Sequence, residues 1–169
     1  MMTRSPNSVI KPQPCAVVGT EYSSVSGKFA TVTGVYDLLQ VSPGASSDVL
    51  DNKDAYPLFS RTHPSDRATA KLLPNFMNVV MNVQKLAVVF VADDGFGLSY
   101  IHFILDYAEE NGLNILPVPL NFQHAPTKED IKGELKVLLD SKLNYVIGVF
   151  FRDKYAPIME AAGELGLAG

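Results

Sequence analysis

Apolar and polar positions alternate along this chain in two kinds of block. Short runs at residues 15–18, 38–41, 86–92 and 146–151 are apolar throughout or nearly so, the pattern of strands buried in a parallel sheet. Between them, apolar residues recur every three or four positions, as along one helical face. Residues 24–36 place Val25, Phe29, Val32 and Tyr36 on one such face, which predicts that this face turns inward. Residues 58–62 read as a brief extended piece before His63-Pro64, because a residue preceding proline is pushed out of the helical region. Ser65 is placed to cap a helix running towards Val83, which Pro74 should kink or divide.

The second half repeats the pattern. After the run at 86–92, Leu98, Ile101, Leu105 and Ala108 predict a helix that Gly112 ends. Residues 114–120 form a strand, and Thr127 with Asp130 has the spacing of a capping box ahead of Ile131, Leu135 and Leu138. A last helix runs from about Tyr155 to Gly166. Strand and helix in repeated succession predict parallel sheets covered by helices. Ligands of such sheets bind beyond the carboxyl ends of the strands. That singles out the loops at 19–24, 42–47, 63–66 and 93–97.

Composition narrows the class. Apolar residues make up 47% and charged residues 19% of the 169, which suits a packed core. The net charge of −4, without a run of Lys or Arg, argues against a nucleic-acid partner. No apolar run approaches the ~18 residues of a membrane helix. Residues 1–14 are a polar, proline-rich leader without the apolar stretch of a secretory signal. Cys15, the one cysteine, has no partner for a disulfide within the chain.

Enzyme signatures fail on inspection. Seven residues separate Gly19 from Gly27 and Phe29 follows Lys28, so the loop is not a phosphate-binding P-loop. Gly95 and Gly97 lack the third glycine of a dinucleotide site, because Tyr100 holds that place. Asp93 and Asp94 follow a strand as acceptor carboxylates do, yet a helix-capping turn explains them as well. His63, His102 and His124 are scattered, and His102 is expected on the surface. No catalytic residue, cofactor or metal is implied. Ser23 and Ser24 stand instead at a helix entry directly after a strand, where free N–H groups favour an anion. Ser46 and Ser47 lie in the loop after the neighbouring strand, and Asp66 follows the third. Hydroxyls on one side and a carboxylate on the other suit a zwitterion.

The run from Cys15 to Asp66 carries, in order, Val-Gly at a strand end, Ser-Ser-Val-Ser at a helix start, a Ser/Gly-rich loop, and Tyr-Pro-x-Phe-x-Arg-Thr-x-Pro-Ser-Asp. It resembles the ligand-binding region of metabotropic glutamate and GABA-B receptors, a G-protein-coupled class within the periplasmic-binding-protein type I family. The resemblance continues weakly to residue 169. It implies an α/β fold of two Rossmann-like lobes with parallel sheets, incomplete here, with residues 15–66 in lobe one and 67–169 in lobe two. It also implies an extracellular receptor module at the plasma membrane, anchored by segments outside this chain and dimerising through lobe one. A small amino-acid-like ligand would sit between the lobes. Ser23 and Ser46 would hold its carboxylate beside Ser24, Asp66 would hold its amino group, and Phe96 would touch it from lobe two. Glu21 and Tyr22 depart from the small residues usual there, Gly44 from a serine, and Phe96 from a tyrosine. The alternatives are a flavodoxin-like enzyme or phospho-acceptor domain, or a fragment without function.

Sheets lacking flanking strands leave open edges and apolar faces that favour association. Residues 1–169 expressed alone are therefore expected to dimerise or aggregate. Sedimentation at micromolar concentration checks this, and a monomer with a cooperative thermal transition contradicts it.

Overall fold

The computed structural model describes residues 14–167, so the leader, apart from Pro14, lies outside the described residues. The order of elements is β1 (Ala16–Val18), α1 (Ser23–Val35), β2 (Leu39–Ser42), β3 (Phe59–Arg61), α2 (Asp66–Thr69), α3 (Leu72–Asn75), β4 (Lys85–Val91), α4 (Gly95–Asn111), β5 (Asn114–Leu120), α5 (Lys128–Ser141), β6 (Val146–Val149) and α6 (Arg152–Glu164). All strand pairings are parallel, as the alternation of elements predicts. They make two three-stranded sheets, ordered β1-β2-β3 and β5-β4-β6, where a flavodoxin-like reading requires one continuous sheet.

Leu86 to Val91 of β4 are buried on both faces. Alternate side chains of a strand point to opposite sides, so this one strand feeds two cores. Leu86, Val88 and Phe90 pack with Ile101, Ile104 and Tyr107 of α4. Ala87 and Val89 pack with Ile131 and Leu135 of α5 and Ile158 of α6. β5 lies at the sheet edge, where Pro117 and Pro119 are tolerated because no further strand needs their missing N–H groups. Thr127 and Asp130 close a reciprocal capping box, with Thr127 N–H donating to Asp130 Oδ2 at 2.8 Å. Gly112 ends α4 at a φ of 67°.

Several expectations need correction. The stripe of Val25, Val32 and Tyr36 faces outward, and α1 turns Ser23, Ser26, Ala30 and Thr33 inward. Small residues let the helix approach its sheet closely, and the polar ones are satisfied there: Ser26 Oγ donates to the Thr20 carbonyl at 3.0 Å. In α4, Phe103 and Tyr107 bury more apolar surface than Leu98 and Leu105, which are left exposed. The helix expected after Ser65 is broken at Ala70–Lys71 rather than at Pro74 itself. A proline ring clashes with the carbonyl four residues earlier, and that carbonyl belongs to Ala70. Ser65 occupies the cap position of α2 without a side-chain capping bond. The last helix also begins earlier than expected, at Arg152.

The start of α4 is locked to the end of β4. A Cβ at Gly97 would stand 2.1 Å from the Val91 carbonyl oxygen, whereas one at Gly95 would meet Ser23 and Ser24 only at ordinary contact, 3.8 Å. Gly97→Ala is expected to cost about 1–3 kcal/mol through overpacking, with Gly95→Ala much milder. Denaturant titration of the two variants side by side checks the contrast.

Candidate functional site

The carboxyl-end loops of the two sheets face each other. Ser23 opens α1 and is 6% exposed. Its hydroxyl accepts the Ser47 N–H at 3.1 Å, tying the start of α1 to the loop after β2. Ser46, half-buried in that loop, accepts the Asp66 N–H on its carbonyl at 2.9 Å. Ser23, Ser46 and Asp66 are therefore brought together, although they come from three different strand ends.

Asp66 is the unusual member. It is 1% exposed, and neither carboxylate oxygen has a hydrogen-bond partner. Burial pushes its carboxyl above the ordinary range. The Ser46 and Ser99 hydroxyls and the Arg61 guanidinium ease that shift, and the Asp48 carboxylate adds to it. The hydroxyls stand near, but neither completes a well-formed hydrogen bond to the carboxylate. Leaving a buried acceptor bare costs about 1–3 kcal/mol, and more if it is charged.

Arg61, quoted in the sequence motif but given no role there, proves structural to this loop. Its guanidinium donates to the Ala45 carbonyl at 3.1 Å and the Ser47 carbonyl at 2.9 Å, and pairs with Asp51. A planar fork of donors suits such a clasp. Ser99 on α4 was also missed, because a serine inside an apolar helix resembles an ordinary filler. The inward turn of the residues around it was the available signal.

Ser24 is exposed and lies beside Gly95. Phe96 follows Gly95 at the start of α4. Its ring packs on Phe151 at 4.9 Å and Tyr100 at 5.2 Å, and Phe151 meets Tyr22 edge-to-face at 5.0 Å. Tyr22 thus crosses to the second sheet as an aromatic contact. The other two departures in these loops fit each other. A Cβ at Gly44 would meet the Glu21 side chain at 2.7 Å and its carbonyl oxygen at 2.9 Å, so the glycine makes room for the glutamate.

Two cavities flank Ser24. One of about 210 Å³ is lined by Tyr22, Asp93, Asp94, Phe122 and Phe151 among others. The other, about 220 Å³, is lined by Ser23, Gly27, Ser47, Tyr56 and Gly95 among others. Ser46, Asp66 and Phe96 line neither. A larger groove of about 900 Å³ lies between α5, α6 and the free edge of β6, away from these loops. Asp93 accepts the Phe122 N–H on both oxygens, at 3.1 and 3.2 Å. Asp94 stands at the cap position of α4, its carboxyl raised chiefly by burial and lowered by the Phe96 and Gly95 N–H groups. Both act as turn residues, as the plainer reading of their sequence expects. Among the described residues, no three His, Cys, Asp or Glu are grouped to hold a metal. None of the described helices is long and apolar enough to cross a membrane.

The sequence has counterparts among known proteins. A family model described as the receptor family ligand binding region matches residues 4–169. The extracellular calcium-sensing receptor of Homo sapiens is 29% identical over 136 residues, covering 80% of this chain and 12% of that receptor. The taste receptor type 1 member 3 of Mus musculus is 30% identical over 135 residues, covering 76% of this chain and 15% of that receptor. The probable metabotropic glutamate receptor mgl-1 of Caenorhabditis elegans is 41% identical over 56 residues, covering 33% of this chain and 6% of that receptor. The chain thus spans a small part of the length of these relatives. Its two parallel sheets, with their loops turned towards each other, are part of a type I periplasmic-binding-protein-like fold, and the chain belongs to the receptor family of ligand-binding regions.

Proposed function

We propose that this chain is part of an extracellular receptor module whose two lobes, residues 15–66 and 67–169, close on an amino acid or a derivative without transforming it. The observation that carries this reading is Asp66, a carboxylate buried to 1% exposure and left without a donor beside a serine-rich loop. A bare buried acceptor is a site waiting for a donor, and an ammonium supplies up to three. Across from it, Ser23 already accepts the Ser47 N–H and keeps its own proton free to donate. Ser46 and Ser24 add hydroxyls, and the start of α1 adds the positive end of a helix dipole. A zwitterion satisfies both ends. Phe96 would join the wall only after the lobes part and the aromatic stack with Phe151 loosens. The name of the glutamate-receptor relative supports the same ligand class.

The full receptor would lie at the plasma membrane with this module outside. Its outward apolar face on α1, including Val25, Val32, Val35 and Tyr36, suits the lobe-one dimer that the family resemblance implies.

Calorimetric titration with the common amino acids tests the reading. Asp66→Asn is expected to weaken binding by about 1.5–3 kcal/mol, the range for a hydrogen bond to a charged group. The same variant should be more stable than the parent at neutral pH. Asp66 has a raised pKa in the folded state, so its favourable contribution is complete below its unfolded value and is lost as pH rises through the folded one. Asparagine removes that loss, and the difference between the two melting profiles should shrink towards acid pH. Unchanged affinity together with unchanged pH dependence would exclude Asp66 from the site.

Ser23→Ala and Ser46→Ala should each weaken binding by about 0.5–3 kcal/mol and combine non-additively, because they share one carboxylate. Ser23→Ala should also cost about 1–3 kcal/mol of stability, since it strands the Ser47 N–H. A double-mutant cycle read by both calorimetry and melting checks the pair. Additive losses of affinity argue against a shared carboxylate.

A further inference from the structure

Ser42, the last residue of β2, is 0% exposed, and its hydroxyl is used to capacity. It donates to the Thr20 carbonyl at 2.5 Å and accepts the Ala45 N–H at 2.9 Å and the Gly44 N–H at 3.3 Å. A hydroxyl has one proton and two lone pairs, so nothing is left over. The bonds within its own turn are a common way for serine to shape a loop. The bond to Thr20 is not local. It reaches 22 residues back, to the loop that follows β1.

One buried hydroxyl therefore belongs to two loops at once. On its donor side, Thr20 lies three residues before Ser23 and shares its carbonyl with Ser26 Oγ of α1 at 3.0 Å. Thr20 Oγ1 returns a bond to Ser26 Oγ at 2.8 Å, which fixes Thr20 to the first turn of the helix. On the acceptor side, Ala45 is 0% exposed and directly precedes Ser46. Two further bonds tie the first loop to β2: Gly19 N–H donates to the Val41 carbonyl at 2.9 Å, and Gln40 Nε2 to the Gly19 carbonyl at 2.8 Å. Those bonds end on the strand, whereas the Ser42 hydroxyl carries the connection on into the turn that bears Ser46.

We propose that Ser42 is the positioning residue of the anion-binding pair, setting the gap between Ser23 and Ser46 without touching a ligand. This role rests on the reading of those two serines as carboxylate donors and adds what holds them in register. Two hydroxyls can grip one carboxylate only at a suitable separation, and a directional bond from beneath fixes that separation here. Every part of the arrangement lies in the first sheet and its loops, so it holds however the two lobes are disposed. An alanine at this position would strand the buried Ala45 N–H and leave the Thr20 carbonyl to Ser26 alone.

Amide hydrogen exchange resolved by residue, on the whole chain and without ligand, tests this. Ser42→Ala should speed exchange at the Ala45 N–H, which loses its acceptor. It should also speed exchange at the Ser47 N–H, which keeps its acceptor on Ser23 but loses the fixed gap, each by about tenfold or more. A serine that merely shapes its own turn would move the Ala45 amide and leave that of Ser47 at the parental rate, a result that overturns the positioning role. The Val88 and Val89 amides of β4 report the fold as a whole and should be unaffected. Equal acceleration there also overturns it, because Ser42 would then support general stability. If Ser42→Ala does not fold, Ser42→Cys is read in the same way, since it nearly keeps the volume and its S–H is a weak donor and acceptor. Because no ligand is added, failure of the positioning role and failure of amino-acid binding are read separately.

Discussion

The sealing of β4 on both faces is the constraint from which the geometry of the cleft follows. With Leu86 to Val91 buried alternately against α4 and against α5 and α6, the strand has no freedom to shift its register by one residue without turning both cores inside out. Its last residue then sets where the next helix begins, because the Val91 carbonyl leaves Gly97 no room for a side chain. The start of α4 is in this way delivered so near Ser23 and Ser24 that even a Cβ on Gly95 would touch them. A rigid core on one side of the cleft thus defines the position of loops on the other.

The first sheet is built on a different economy. Its strands are short, and the inward faces of α1 and β2 carry Ser26, Thr33, Gln40 and Ser42 rather than large apolar groups. Its apolar cluster is small, centred on Ala30, Ala45, Leu50 and Phe59. Hydrogen bonds do much of the joining there: Gln40 Nε2 donates to the Gly19 carbonyl at 2.8 Å, and Ser42 donates to that of Thr20. Directional bonds hold loop positions more sharply than apolar contacts do. The cost is that every buried polar atom must find a partner, and among the described residues the Asp66 carboxylate, Gln40 Oε1 and His63 Nε2 do not.

The fold was legible in the sequence to the extent that packing follows local pattern. β5 and the capping box at Thr127 and Asp130 could be read directly, since a capping box involves residues three apart. The uniform apolar run at residues 86–92 announced a strand buried on both faces. The face of α1 could not be read this way. Periodicity locates a stripe, but which stripe turns inward depends on the partner sheet, and here the partner is polar. The site divides along the same line. That Ser23, Ser46 and Asp66 lie near one another could be anticipated because strand ends in a parallel sheet converge. Arg61 and Ser99 were missed because their partners, the loop carbonyls and Asp48, are distant contacts that no local spacing encodes.

The fit of Glu21 against Gly44 has an evolutionary corollary. Two positions that depart from the usual residues of the family do so as a couple, a side chain gained on one loop and a Cβ lost on the facing one. Restoring serine at position 44 alone would drive a new atom into the Glu21 carbonyl, which cannot rotate away as a side chain can. Restoring a small residue at position 21 alone would open a gap over the loop. The two positions are therefore coupled through space, and a change at one alters what the other can hold. A hybrid domain that takes one of these loops from a relative should take both.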